Sequence, residues 1–269
     1  MKQLILLLTI LIVLTVSCSE QTVVVSYPQL NYEIRTIERY SGVRADSTKG
    51  VAFVKVAYPE IVSCDSTNTA DLINQFTYCF VIEQFGDHLC ENRIEVHADK
   101  FIAEYVDFMA YMPDYCLGWG KSITTTVVTD TLGIFSLGLS YFSYAGGAHP
   151  NSYKYFANFN TFNGDYIRLE DVLIEGYQDN LNKIAEKIFR NQKKLAHDAD
   201  LDTAGYWFDD NTFSVNDNFL ITPKGLLFFY NDYEIACYAN GSTQLLIPYR
   251  EMNILIKADG CLAVFQPAN

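Results

Sequence analysis

Ser122-Ile-Thr-Thr-Thr-Val-Val-Thr129, Asp130-Thr-Leu-Gly133 and Ile134-Phe-Ser-Leu-Gly-Leu-Ser-Tyr-Phe-Ser-Tyr144 decide the fold class of this chain. Both long runs are β-branched or aromatic, and the residues between them supply the Asp and Gly of a tight turn, so the stretch reads as two strands of a hairpin. The second run continues into Tyr144-Ala-Gly-Gly-Ala-His-Pro-Asn151. There the paired glycines permit positive φ, and Pro150 restricts His149 to an extended conformation. A further strand, Tyr153 to Phe162, closes at Asn163-Gly164.

Downstream, a short helix over Ile167 to Val172 precedes an amphipathic helix from Gln178 to Leu195, whose apolar stripe is Leu181, Ile184, Ala185, Ile188 and Phe189. Asn218 to Thr222 and Gly225 to Tyr230 form a hairpin about Pro223-Lys224. Leu245 to Ile247 is a last strand, and Pro248 suits the start of a helix running through Ile256. Upstream, strands cover Leu30 to Tyr40 and Gly50 to Tyr58. Two helices follow: Thr67 to Gln84, and a second whose stripe is Ile94, Ala98, Phe101, Ile102, Tyr105, Phe108, Met109 and Met112. Their short connection predicts an antiparallel helical hairpin. Helices and antiparallel strands occur in separate runs, which is the pattern of an α+β fold: antiparallel sheets with packed helices, an N-terminal helical-hairpin half over 28–117 and a C-terminal β-rich half over 118–269.

Before these halves lie Lys2, the apolar run Leu4 to Val16, and Leu14-Thr-Val-Ser-Cys18. The run has the charge, length and small-residue ending of a signal peptide, and it falls short of the about 20 apolar residues of a spanning helix. Leu14 to Cys18 resembles a bacterial lipobox. Residues 1–18 are therefore expected to be a leader ending at a lipidated Cys18, and residues 19–27 a tether. The chain is expected to be held by its lipid at the bacterial cell envelope, and Ser19-Glu20, which is not a strongly acidic export run, favours the periplasmic face of the outer membrane.

Hydrophobic residues make up 49% of the chain and aromatic residues 14%, ample for a packed core and too apolar for disorder. A net charge of −13 repels nucleic acid and anionic headgroups and would attract a cationic partner. Apart from Cys18 there are six cysteines, an even number in a compartment that permits disulfides. An antiparallel helix pair would join Cys64 to Cys116 at one end and Cys79 to Cys90 at the other, leaving Cys237 for Cys261. The cysteines show no CxxC and the four histidines no HxH or HExxH, so neither a metal nor a cofactor is expected.

His149, flanked by Tyr141, Tyr144 and Tyr153, is the main candidate for chemistry. It can act as a general base with nearby carboxylates, bind a polar ligand, or simply hydrogen-bond its own turn. No GxSxG elbow or phosphate loop accompanies it, and no catalytic residue is assigned. A second notable stretch, Gly225 to Gly241, carries Tyr233, Glu234 and Tyr238 out of an aromatic strand; tyrosines of this kind are enriched at recognition surfaces. The ligand-binding candidates are accordingly Tyr141, Tyr144, Gly146, Gly147, His149, Asn151, Tyr233, Glu234 and Tyr238.

Tyr141 to Asn151, Asn158-Phe-Asn160 with Gly164, Leu169-Glu-Asp-Val-Leu173, Gly225 to Gly241 and Ile247-Pro-Tyr-Arg-Glu251 together resemble a known C-terminal domain. It is the RsiV-like domain shared by the lysozyme-sensing anti-sigma factor of Gram-positive bacteria and by envelope lipoproteins. Tyr58-Pro-Glu-Ile61 with Leu72-Ile-Asn-Gln-Phe76 resembles its companion N-terminal domain, also found ahead of the catalytic domain of a peptidoglycan deacetylase. The resemblance implies the shared non-catalytic modules: a binding module for a lysozyme-like cationic protein or for peptidoglycan fragments. A cell-wall hydrolase using His149 and a purely structural envelope protein are the alternatives that the residues leave open.

Overall fold

The computed structural model describes residues 26–42, 50–65, 68–88, 90 and 93–265. The expected leader with Cys18, and the tether up to residue 25, lie outside the described residues. Strands β1 (Leu30–Tyr40) and β2 (Phe53–Cys64) are followed by helices α1 (Thr69–Glu83) and α2 (Ile94–Tyr111), then by β3 (Gly120–Thr131), β4 (Ile134–Tyr144) and β5 (Asn151–Asn160). These five strands form one sheet in the order β1-β2-β3-β4-β5. Neighbours are antiparallel except β2 and β3, which are parallel because the two helices carry the chain back to the start of β2. Helices α3 (Leu169–Val172) and α4 (Gln178–Lys193) then lead to a three-stranded antiparallel sheet of β6 (Phe219–Thr222), β7 (Gly225–Tyr230) and β8 (Thr243–Pro248), followed by α5 (Tyr249–Met252). This is the α+β architecture expected from the sequence.

Strand β2 extends six residues beyond the expected Tyr58, through Pro59. A proline inside a strand is tolerated where the missing N–H costs no ladder bond. Pro59 faces Ile34 of β1, while the pairing of β2 with β3 ends at Ala57 and Thr124, so one side of β2 is open at Pro59.

The boundary expected at 117/118 falls inside the continuous sheet, since β2 and β3 lie on either side of it. Hydrophobic packing divides the chain later. One core lies between α1, α2 and one face of the sheet, around Val54, Ile73, Val81, Ile123, Phe135 and Leu137. The other is built by α4, the small sheet and the C-terminal turns, around Phe189, Phe213, Phe228, Ile247 and Met252, and takes in Ile134 of β4. Strand β4 is buried on both faces from Ile134 to Leu139, which explains its nearly unbroken apolar run.

The two cores are joined along the outer edge of β5, and asparagine side chains make the joint. Asn158 Oδ1 accepts from Ser136 Oγ at 2.8 Å and from Ile221 N at 2.9 Å, and its Nδ2 donates to Phe219 O at 2.8 Å. Asn218 Oδ1 accepts from Phe156 N at 2.9 Å, and its Nδ2 donates to Lys154 O at 2.9 Å. Asn231 Oδ1 accepts from Lys154 N at 2.7 Å. Amide side chains thus satisfy an edge that would otherwise offer unpaired backbone groups to another chain. Phe156 packs edge-on to Phe229 beneath them, with ring centroids 6.1 Å apart.

The helices fix the fate of the expected disulfides. Asn74 of α1 bonds both the N–H and the carbonyl of Ile61, at 2.7 and 2.9 Å, near the end of β2. At the other end of α1 the Gln84 carbonyl accepts from Lys121 Nζ at 2.5 Å, next to Val54 near the start of β2. Helix α2 packs near that start as well, where Tyr105 OH donates to Gly50 O at 2.6 Å. Cys116, whose carbonyl accepts from Gly50 N at 3.1 Å, therefore sits beside the beginning of β2, whereas Cys64 ends it. The pair Cys64–Cys116 is not brought together. Cys237 and Cys261 are likewise held apart, Cys237 ahead of the Thr243 end of β8 and Cys261 beside Tyr249 past its other end. Only for Cys79 and Cys90 do the thiols meet.

Candidate functional site

Ser143 of β4 pairs with Asn151 of β5, leaving Tyr144 to Pro150 as the connecting loop. Gly146 and Gly147 take φ of +94° and +114°, conformations that the missing Cβ makes accessible. The Tyr144 hydroxyl donates to Gly147 O at 3.0 Å and props the loop. The packing is also tight beneath it: a Cβ on Gly146 would lie 2.6 Å from the Tyr115 hydroxyl.

The loop delivers the His149 ring to an exposed position. Its Nδ1 lies 3.0 Å from Pro150 O, which can only accept, so this nitrogen carries the hydrogen. Nε2 is then left to accept from Tyr233 OH at 3.4 Å. The imidazole stacks on the Tyr238 ring, with centroids 4.9 Å apart and planes inclined by 17°. Tyr238 in turn stacks on Tyr233 at 5.5 Å and 30°. Tyr233 is 51% and Tyr238 42% exposed, so three aromatic faces form a platform open to solvent.

The opposing loop is built to hold that geometry. Strand β7 ends at Tyr230, and Asn231-Asp-Tyr-Glu234 turns back with Glu234 N donating to Asn231 O at 3.1 Å. Tyr233 adopts φ +65°, a left-handed conformation costly for a residue with a side chain and maintained only when its surroundings impose it. The Glu234 carboxylate imposes it here, accepting from Asn231 N at 2.7 Å and Asn216 Nδ2 at 2.6 Å. Tyr238 leaves the chain from a single 3-10 turn, Tyr238–Asn240.

Of the nine sequence candidates, the structure brings His149, Tyr233 and Tyr238 into mutual contact. Tyr144, Gly146 and Gly147 shape the histidine loop, Glu234 pins the tyrosine loop, and Asn151 opens β5 at an exposed position. Tyr141 lies apart from the platform. It pairs across the strands with Tyr153 at 4.9 Å on the face that packs against the first core. Beside the platform a groove of about 220 Å³ is lined by Tyr141, Ser152, Lys154, Asn231, Asp232 and Ser242 among others, so Tyr141 borders the groove although it does not join the stacked rings.

Two further features lie outside the nine candidates. Lys121 is buried with its ammonium 4.8 Å from the Phe85 ring centroid, 5.5 Å from Phe101 and 5.7 Å from Tyr141, and burial lowers its pKa. Its bond to the Gln84 carbonyl ties the C-terminal end of α1 to the sheet, a structural role. A cleft of about 660 Å³ lies between β2 and α1 and is lined by Tyr58, Glu60, Tyr78, Glu83, His88, Cys79 and Cys90 among others. Among the described residues no cluster of three or more His, Cys, Asp or Glu side chains could hold a metal ion, and no helix is long and apolar enough to cross a membrane.

Residues 170–250, from α3 to the start of α5, match the family described as Protein of unknown function (DUF3298). The match includes Tyr233 and Tyr238 and excludes His149. Two solved structures are similar over nearly the whole chain. A member of the DUF3298 family from Bacteroides fragilis superimposes with a TM-score of 0.73 at 20% identity, covering 88% of this chain and 97% of its own. A DUF3298 family protein from Pseudomonas aeruginosa PAO1 gives 0.66 at 18% identity, covering 90% and 98%. At these identities the likeness is one of fold. No curated protein matches the chain.

Proposed function

We propose that the protein is a cell-envelope binding module that captures a cationic, lysozyme-like protein on the His149–Tyr238–Tyr233 platform. The observation that carries this reading is the stacking of three exposed rings on two loops that are independently pinned. Solvent-facing aromatics usually fold back onto the surface or scatter; here each ring is held by the next, which lowers the entropy lost when a partner docks. Exposed aromatic faces attract guanidinium and ammonium groups, by about 0.5–2 kcal/mol per contact. The net charge of −13 favours a basic partner at long range. Lipidation at Cys18 would hold the module at the envelope, where it meets such proteins.

The contacts of His149 favour this reading over the hydrolase. A general base is ordinarily oriented by a carboxylate, whereas the described contacts of this imidazole are a backbone carbonyl, a tyrosine hydroxyl and two tyrosine rings. Peptidoglycan fragments are the second ligand class, because the groove beside the platform is lined by hydroxyl and amide groups suited to a polar glycan.

Calorimetric titration with a basic lysozyme and with purified muropeptides, at about 50 and 500 mM salt, tests the proposal. Binding of the lysozyme that weakens at least tenfold across this range is expected from screening of a charge-assisted encounter. Muropeptide binding that ignores salt would instead select the glycan reading. Binding of neither ligand at any salt would overturn both.

A further inference from the structure

We propose that Cys79 and Cys90 form a thiol–disulfide exchange site that takes a disulfide donor through the cleft between β2 and α1. Cys79 lies on the penultimate turn of α1, and Cys90 lies eleven residues on, in the connection to α2. The connection reverses through Gly86 at φ +85°, and Cys90 itself takes φ +55°. The two thiols are in hydrogen-bonding contact. Both are half-buried and both line the 660 Å³ cleft, which leaves room for a disulfide as large as that of a tripeptide dimer to reach them. Cys79 also lines a second cavity of about 390 Å³ on the far side of α1, so it is approached from two directions. Cys116 and Cys237, by contrast, are exposed, and neither lies beside the partner expected for it from the sequence.

The surroundings order the two steps. Burial, the Cys79 thiol and then the carboxylates of Glu83 and Asp87 raise the pKa of Cys90, so it remains a thiol at neutral pH. The Cys79 thiolate attacks one sulfur of the donor; the donor's S–S bond breaks, and half of it leaves as a thiolate. Cys90 then passes its proton to that leaving thiolate and attacks the Cys79 sulfur, releasing the second half of the donor as a thiolate, which takes from solvent the proton that Cys79 gave up to become a thiolate. The protein loses two protons and two electrons, and the donor gains them. The new bond closes a short ring across the α1–α2 connection and fixes the wall of the cleft.

Reduced full-length protein incubated with glutathione disulfide, then alkylated and mapped without reduction, tests the proposal. Two thiols per chain should disappear together, with residues 79 and 90 recovered in one cross-linked pair of peptides and a thermal midpoint raised by roughly 5–10 °C, as closure of a ring of this size predicts. Cys90→Ser should stop the sequence halfway, with glutathione retained on Cys79. A peptide map in which only Cys116 and Cys237 carry glutathione, with both Cys79 and Cys90 still alkylated, would overturn the proposal. That result in the wild-type protein is decisive whether or not the variant folds.

Discussion

Asn158→Leu is expected to destabilise the protein by about 3–5 kcal/mol, since each buried polar group left without a partner costs roughly 1–3 kcal/mol. Asn158 is fully buried, and its one side chain serves the Ile221 N–H, the Phe219 carbonyl and the Ser136 hydroxyl. Leucine has nearly the same size, so the cavity term is small and the loss is that of the three hydrogen bonds. The groups stranded lie between the two cores, where Ile221 and Ser136 are themselves fully buried and water does not readily replace the amide. For a chain of this size the corresponding fall in thermal midpoint is on the order of 10 °C. Asn163→Ala provides the control: that side chain bonds only within its own exposed turn, to Asp165, and should cost less than about 1 kcal/mol. Urea unfolding of both variants measures the difference. Equal, small losses would mean that the joint between the cores is solvated.

Tyr238→Ala is expected to weaken capture of the cationic partner by roughly 30-fold or more while leaving stability almost unchanged. Tyr238 stacks on both His149 and Tyr233, so its loss removes one binding face and the ring support of the other two, which keep only their own contact. Centrally placed tyrosines of an interface commonly contribute 2 kcal/mol or more. With 42% of its surface exposed and no core contact, the ring contributes little to folding. Calorimetry of the variant against the wild type, paired with thermal unfolding, separates the two effects. A large loss of stability with unchanged affinity would make the stack a fold element and not a recognition surface.

Most of the secondary structure was legible because its signals are local. The β-branched and aromatic runs Ser122 to Thr129 and Ile134 to Tyr144, the stripe Leu181 to Phe189 and the turn at Pro223-Lys224 each announce their element within a dozen residues. Three long-range facts were not legible. Pro59 hid the second half of β2, because whether a proline breaks a strand depends on which neighbour is missing, and that neighbour lies some sixty residues away. The parallel pairing of β2 with β3 erased the expected domain boundary, and with α2 packed near the start of β2 it also separated Cys64 from Cys116. Asn158 stands in the sequence only as part of Asn158-Phe-Asn160, one of the stretches that carry the family resemblance, with no sign in its own surroundings that it joins two cores.

The candidate site was half legible for the same reason. Gly-Gly-Ala-His-Pro and Tyr-Glu-Ile each stand out as stretches, and both supply rings to one platform although 84 residues separate His149 from Tyr233. Within each stretch, sequence did not distinguish the side chains that face out from those that hold the loop. Glu234, expected to meet a ligand, accepts hydrogen bonds from its own loop and from Asn216. Tyr141 points to the first core because strand alternation places it beside Tyr153.

Amide hydrogen exchange of the protein with and without a basic lysozyme tests most directly whether the stacked rings are the recognition surface. Protection confined to residues 144–151 and 231–241, the two loops that carry His149, Tyr233 and Tyr238, is the expected result. Protection elsewhere, at the cleft between β2 and α1 for instance, with both loops exchanging as in the free protein, would contradict it.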